Sequence, residues 1–463
     1  MTAFRRVGLA ATATALVFAA GLCPATVAAA AGGSALAAGG GADPAATADS
    51  STCTTANVTV AADQVDPPWE IAAADPSELF SPAGEQLTGA GVTVAVIDTG
   101  IQQQQQIQVN SGEVLNGEST SYKTDDDGHG TMVASIIAAQ KENNEGMQGI
   151  APGVKLMSQR EAGCNATLGN DETAMATAIN DAVKGGAQVI NISQDGYDTD
   201  SGLQAAVVNA YEHGVVIVGS AGNEGDRDYT DPNGKDYGVN PRTYPASYQP
   251  YVLAVGAVDQ FGNVAPFSET GTAKNSYFVG VSAPGVQVGG LLPSGKIAID
   301  DGTSFSAPYV AAEAALIMQE YGWTGTDDAT PARAYEVMKI IEATASGDGS
   351  YSAAEGWGEA DIQKAVQTVL PDTSLVQQAG AAVPGLTKLL GDGPLADGPA
   401  VATASISRAV VKPYVATAGN QQAQNQQRWA YIALVAGLLA AVVALAAAAV
   451  ARDAARRRGA SRS

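Results

Sequence analysis

The sequence predicts an α/β fold, a mainly parallel sheet flanked by helices. Three observations lead there. A six-residue apolar run, Val92 to Ile97, ends abruptly at Asp98-Thr99-Gly100, as a buried strand does. Behind it, strand-like and helix-like segments alternate, the signature of parallel pairing through helical crossovers. Late in the chain, Ser304 to Tyr321 forms one long apolar helical segment.

The elements follow in order. Gly130 to Gln140 reads as helix, Thr173 to Gly185 as helix, Gln188 to Ile192 as strand, and Leu203 to His213 as helix. Val215 to Val218 and Val252 to Val258 are β-branched strands. Pro331 to Ala345 and Glu359 to Val369 close the domain as helices. Gln102 to Gln106 reads as a solvated surface loop.

Both ends carry other signals. Arg5 and Arg6 precede an apolar stretch from Val7 to Leu22, and Ala28-Ala29-Ala30 supplies small residues for cleavage, so residues 1–30 read as an export signal. Residues 31–89 form an N-terminal extension, beginning with an Ala/Gly spacer. The α/β domain is expected over 90–370, and an Ala-, Gly-, Pro- and Gln-rich linker over 371–428.

Trp429 to Val450 is uncharged over 22 residues. As a helix it spans roughly 33 Å, enough for a bilayer core. Arg452, Arg456, Arg457, Arg458 and Arg462 follow it, which places the tail, 451–463, in the cytoplasm and the rest outside. The expected location is therefore the cell membrane, through a single-pass anchor. Cys23 leaves with the signal, and Cys53 and Cys164, two thiols in an oxidising compartment, are most simply one disulfide.

With 47 acidic against 24 basic residues the net charge is −23, which excludes a phosphate-binding surface and hence nucleic acid as partner. No residue pattern asks for a cofactor or a metal.

The chemistry lies in three short motifs. Asp98-Thr99-Gly100 ends a strand; Gly128-His129-Gly130-Thr131 opens a helix; Gly302-Thr303-Ser304 opens the long apolar helix. A serine hydroxyl is a weak nucleophile and needs a base within hydrogen-bond reach. The chain has two histidines, and His213 sits at a helix end, so His129 is the candidate base. Asp98 would orient it, and Ser304 at a helix N-terminus gains backbone donors and the positive dipole end for an oxyanion. Asn223, in Ser220-Ala221-Gly222-Asn223 after a strand, can add a side-chain donor there. Singly these motifs are weak; Asp-Thr-Gly also marks aspartic proteases, which need two such aspartates. The order Asp, His, Ser on these elements carries the reading.

From Gly91 to Val369 the chain resembles the subtilase family, including Gly356-Trp357-Gly358, and more narrowly the mycosins of type VII secretion systems. The narrower likeness rests on the signal, the run from Gly89 to Gly100, the cysteine-bearing extension and the basic-tailed anchor. The resemblance implies a serine endopeptidase acting on exported polypeptides, with triad Asp98, His129 and Ser304 and oxyanion donor Asn223, attached to a secretion complex. A mainly structural part in that complex is the alternative. It also implies that Ser193, Gln194, Asp195 and Gly196 line one substrate edge and the stretch ending at Gly163 the other. Asp195 stands where Gly is frequent, and Ser135 likewise, so unusual specificity is expected at the first and tolerance at the second.

Overall fold

The computed structural model describes residues 58–60, 67–115, 121–142, 146–162, 172–231, 233–272, 278–325 and 329–368. In chain order its strands and helices begin with β1 (Val58–Val60), α1 (Trp69–Ala74), β2 (Thr93–Asp98), β3 (Val109–Val114), α2 (His129–Ala138) and β4 (Lys155–Arg160). Then come α3 (Glu172–Lys184), β5 (Val189–Ile192), α4 (Ser201–Glu212), β6 (Val216–Ser220), β7 (Asp228–Thr230) and β8 (Asp236–Val239). The chain continues through β9 (Val252–Val258), β10 (Val281–Pro284), β11 (Val288–Leu291), β12 (Ile297–Asp300), α5 (Thr303–Glu320), α6 (Pro331–Thr344) and α7 (Ile362–Val366).

Seven strands form the central sheet in the order β10-β9-β6-β5-β2-β4-β3, and every adjacent pair is parallel. Such a sheet is covered on both faces, and β2, β5, β6 and β9 are buried almost throughout. Because all seven run one way, their carboxyl ends share one edge, the usual place for a site in an open α/β sheet.

The expected helices and strands occur within a few residues of their predicted bounds. β3, β4 and the short strands β1, β7, β8 and β10 to β12 escaped the sequence reading. β4, Lys-Leu-Met-Ser-Gln-Arg, has no apolar run, yet Ser158, Gln159 and Arg160 are all buried. Arg160 is held there by Thr124 O and Thr124 Oγ1, at 3.0 and 2.9 Å, and by Asp126 at 2.6 Å.

The glutamine loop is also less solvated than expected. Gln103 and Gln105 are exposed, but Gln106 is buried, and the Gln102 N–H donates to Thr131 Oγ1 (2.9 Å).

Helix α5 is apolar all round because it is buried all round, from Phe305 to Met318. Ser135 lies buried in α2; its hydroxyl donates to Met132 O (2.7 Å) and accepts from Leu291 N (2.8 Å), tying α2 to β11. Residues ahead of β2 join the same core: Leu79 and Leu87 are buried, Trp69 Nε1 donates to Val286 O (3.0 Å), and Gly289 N donates to Glu70 (3.1 Å). β1 pairs antiparallel with β12.

No helix among the described residues is long and apolar enough to cross a membrane. The expected signal, linker, membrane segment and tail, together with Cys53, Gly163 and Cys164, lie outside the described residues.

Candidate active site

Asp98 is the last residue of the central strand β2, fully buried at the carboxyl edge. His129 opens α2, and its Nδ1 lies 2.8 Å from Asp98 Oδ1. Gly130 makes this approach possible. A Cβ there would stand 2.1 Å from Gly100 O and 3.0 Å from Asp98 Oδ1, displacing the strand end from the helix.

A second buried aspartate organises the turn before His129. Asp125 accepts from Thr99 Oγ1 (2.9 Å), Asp127 N (3.1 Å) and Gly128 N (2.8 Å) on one oxygen. Its other oxygen accepts from Thr131 N (2.8 Å) and Thr131 Oγ1 (2.6 Å). Thr99 in turn accepts from Gly130 N (2.9 Å), so strand end, turn and helix start form one network. Asp127 accepts from His129 N (3.1 Å).

Burial is the largest influence on His129 and opposes its charge, but Asp98, Asp127 and Asp125 together outweigh it and raise the imidazole to about 9. With Nδ1 committed to Asp98, Nε2 is left to accept a proton. Burial pushes Asp125 and Asp127 up as well.

Ser304 is the second residue of α5, so its N–H has no carbonyl partner within the helix. Its hydroxyl donates to Ser193 O (3.1 Å), immediately after β5. The Ser193 hydroxyl donates back to Ser304 O (2.7 Å). Pro308 explains this second bond: four residues on, it has no N–H to offer Ser304 O, and Ser193 takes the vacated role. Phe305, the next residue, packs against the His129 ring with centroids 5.5 Å apart.

Asn223 lies three residues past β6. Its Oδ1 accepts from Thr303 N (2.9 Å) and Thr303 Oγ1 (3.0 Å), which orients the amide and leaves Nδ2 as the available donor beside Ser304. The structure thus brings Asp98, His129, Ser304, Ser193 and Asn223 to one edge of the sheet.

The remaining expected residues follow Ser193 along the chain or lie at a helix end. Gln194 is buried, and its side-chain amide has no partner among the described residues. Asp195 is half-buried, and burial together with Glu224 raises it to about 7. Gly196 exchanges both backbone bonds with Tyr244, at 2.9 and 2.8 Å, so its backbone is already engaged. His213 caps α4 and contacts Asn209 O (2.7 Å), a helix-end role.

Sequence reasoning missed Asp125 and Asp127 and gave Thr99 no role beyond its motif. A run of three aspartates directly ahead of Gly128-His129 was a usable signal for the first two.

A family model described as the subtilase family matches residues 89–358. Subtilisin DY of Bacillus licheniformis is 38% identical over 235 residues, covering 50% of this chain and 78% of that protein. A subtilisin of Bacillus pumilus is 33% identical over 295 residues, covering 63% of this chain and 97% of that protein. Among solved structures, MycP1 from Mycobacterium smegmatis aligns with a TM-score of 0.55 at 30% identity, over 70% of this chain and 92% of that one. MycP3, a protease from the type VII (ESX-3) secretion system, aligns with a TM-score of 0.55 at 30% identity, over 68% and 92%.

Proposed function

Since the chain belongs to the subtilase family and is a subtilisin-type serine protease, we propose that Asp98, His129 and Ser304 are its catalytic triad and Asn223 its side-chain oxyanion donor. The observation that carries this reading is the 2.8 Å contact between His129 Nδ1 and Asp98 Oδ1, beside the helix that Ser304 opens.

In this mechanism the Ser304 hydroxyl leaves Ser193 O and attacks the scissile carbonyl, passing its proton to His129 Nε2. Asp98 holds the ring in the required tautomer and stabilises the imidazolium, as it does without itself taking the proton. The Ser304 N–H and Asn223 Nδ2 receive the oxyanion. His129 then protonates the leaving amine, and water hydrolyses the acyl-enzyme by the reverse sequence of proton transfers. Ser193 to Asp195 would pair with the substrate on one side, and the stretch ending at Gly163 on the other.

The substrates we assign are exported polypeptides, and the setting is a type VII secretion system. The similarity to MycP1 and MycP3 supports this, since both are described as belonging to such systems. MycP1 is also described as an essential component of its system, which favours a part in the complex beside proteolysis. A signal at 1–30, a catalytic domain at 90–370, a linker at 371–428 and a single-pass anchor at 429–450 with a cytoplasmic tail rest on sequence pattern. So does a Cys53–Cys164 disulfide. The packing of Trp69, Glu70, Leu79 and Leu87 supports an extension that stays attached.

The test is labelling by a fluorophosphonate probe together with peptide hydrolysis. Wild type should label and cleave; Ser304→Ala should do neither, losing on the order of 10⁶ in turnover. Cleavage surviving in Ser304→Ala would end this reading.

A further inference from the structure

Next to Asn223 lies a second group of carboxylates. Gly222 has φ +111°, and a Cβ there would stand 2.6 Å from Glu269 Cδ and 2.7 Å from its Oε1. Glu269 N donates to Gly222 O (3.1 Å), and Glu224 N donates to Glu269 Oε1 (3.3 Å). Glu269 is fully buried, yet its Oε2 has no partner among the described residues. Asp195 and Glu224 act on it electrostatically, and Glu224 acts on Asp195. Three acids therefore converge beside Asn223.

An aromatic wall adjoins them. Tyr197, two residues past Asp195, packs on Tyr229 and Tyr237 of the β7–β8 hairpin, with centroids 4.4 and 5.3 Å apart. Asp195, Glu269 and Glu224 all act on Tyr197. Few cations balance the cluster. Arg227 pairs with Glu224 from the exposed side, and Lys235 pairs with Asp198 at the surface. Neither Asp195 nor Glu269 has a cationic partner among the described residues.

We propose that this acidic cluster takes a basic side chain, Arg or Lys, of the polypeptide substrate, at the residue that supplies the attacked carbonyl. The inference rests on the protease reading above. Ser304 N–H and Asn223 Nδ2 face the oxygen of that carbonyl, so the side chain nearest to them belongs to the same residue. Gly222 and Glu224 flank Asn223 directly, Glu269 sits against Gly222, and Asp195 lies two residues past Ser193. A guanidinium would find carboxylates for its edge and tyrosine faces for its plane, the two surfaces that suit it. Without such a ligand, burial and the neighbouring acids push Glu269 up to about 10, and Asp195 up to about 7. An incoming cation favours their ionised forms.

The test uses the full chain and peptides identical except at that residue, carrying Arg, Lys, Leu or Ala. Wild type should give kcat/KM at least about tenfold higher for Arg and Lys than for Leu, the scale set by pairing otherwise unmatched buried polar groups. In Glu269→Gln and Asp195→Asn, the Arg-to-Leu ratio should fall about tenfold. A ratio is insensitive to losses of turnover shared by both peptides, and half-buried Asp195 serves should the buried variant fail to fold. A preference for Leu in wild type, or an unchanged ratio in the variants, overturns the proposal. Probe labelling separates the two readings: a chain that labels at Ser304 but cleaves after apolar residues loses only the basic pocket. A chain that does not label loses both.

Discussion

Two groups of aspartates and glutamates flank Ser304, and they are built differently. On the His129 side, Asp125 accepts five hydrogen bonds over both its oxygens, while Asp98 accepts from Thr99 N and the His129 ring on Oδ1 and leaves Oδ2 without a partner among the described residues. On the Asn223 side, Glu269 accepts one long bond, and Asp195 has no hydrogen-bond donor among the described residues. Asp125 and Glu269 are both buried, so desolvation bears on both. Between these two the difference is whether the protein supplies the donors. A carboxylate whose donors come from its own fold can only orient its neighbours, whereas one left short of donors retains free energy of interaction for a ligand.

That contrast can be broken by substitution. The largest effect is expected at Asp98. Asp98→Asn keeps the shape but favours the wrong imidazole tautomer, and turnover should fall on the order of 10⁴-fold with the fold intact. Steady-state kinetics beside a thermal melt checks it; a drop in stability without a drop in turnover would place Asp98 among structural residues.

Stability should separate the two groups next. Asp125→Ala strands the Gly128 and Thr131 N–H groups and should cost about 3 kcal/mol in denaturant unfolding. Glu269→Gln removes an already under-satisfied carboxyl and, below pH 4.5, where both folded and unfolded states carry the proton, should stay within about 1 kcal/mol of wild type. Their pH behaviour sharpens this. Glu269 is raised from 4.5 to about 10, so between those values the folded state holds a proton that the unfolded state releases. Wild-type stability should therefore fall, relative to Glu269→Gln, as pH rises through that window. Equal unfolding costs for the two variants would erase the contrast.

The smallest effect concerns His129. Its raised value means that kcat/KM should climb with pH as the ring loses its proton, with a midpoint above 6.5 and near 9. The Asp98–His129 contact likewise adds stability that is complete below pH 6.5 and lost as pH passes about 9. Asp127→Asn removes one contributing charge and should move the activity midpoint down by less than about one unit. A pH–rate profile that does not move would assign the raised value to Asp98 and Asp125 alone.

Much of the site was legible because its signals are local. Val92 to Ile97 must be a buried strand, and Asp98 follows it; Gly302-Thr303-Ser304 must open an apolar helix. β4 was illegible because its burial depends on Asp126 and Thr124, which accept from an otherwise untenable Arg160. The backbone pairing of Gly196 depended on Tyr244, 48 residues on.

By itself, then, the sequence determined the strand that ends at Asp98, the helices that His129 and Ser304 open, and the order of these elements, because strand and helix periodicities are properties of neighbouring residues. Only the tertiary structure decided which carboxylates are satisfied. Asp125 meets four of its five donors within six residues along the chain, but Glu269 reaches Glu224 and Gly222 across more than forty, by the packing of the loop after β9 against the loop after β6. Hydrogen bonds over that distance are set by how the sheet edge folds back, which no local pattern encodes.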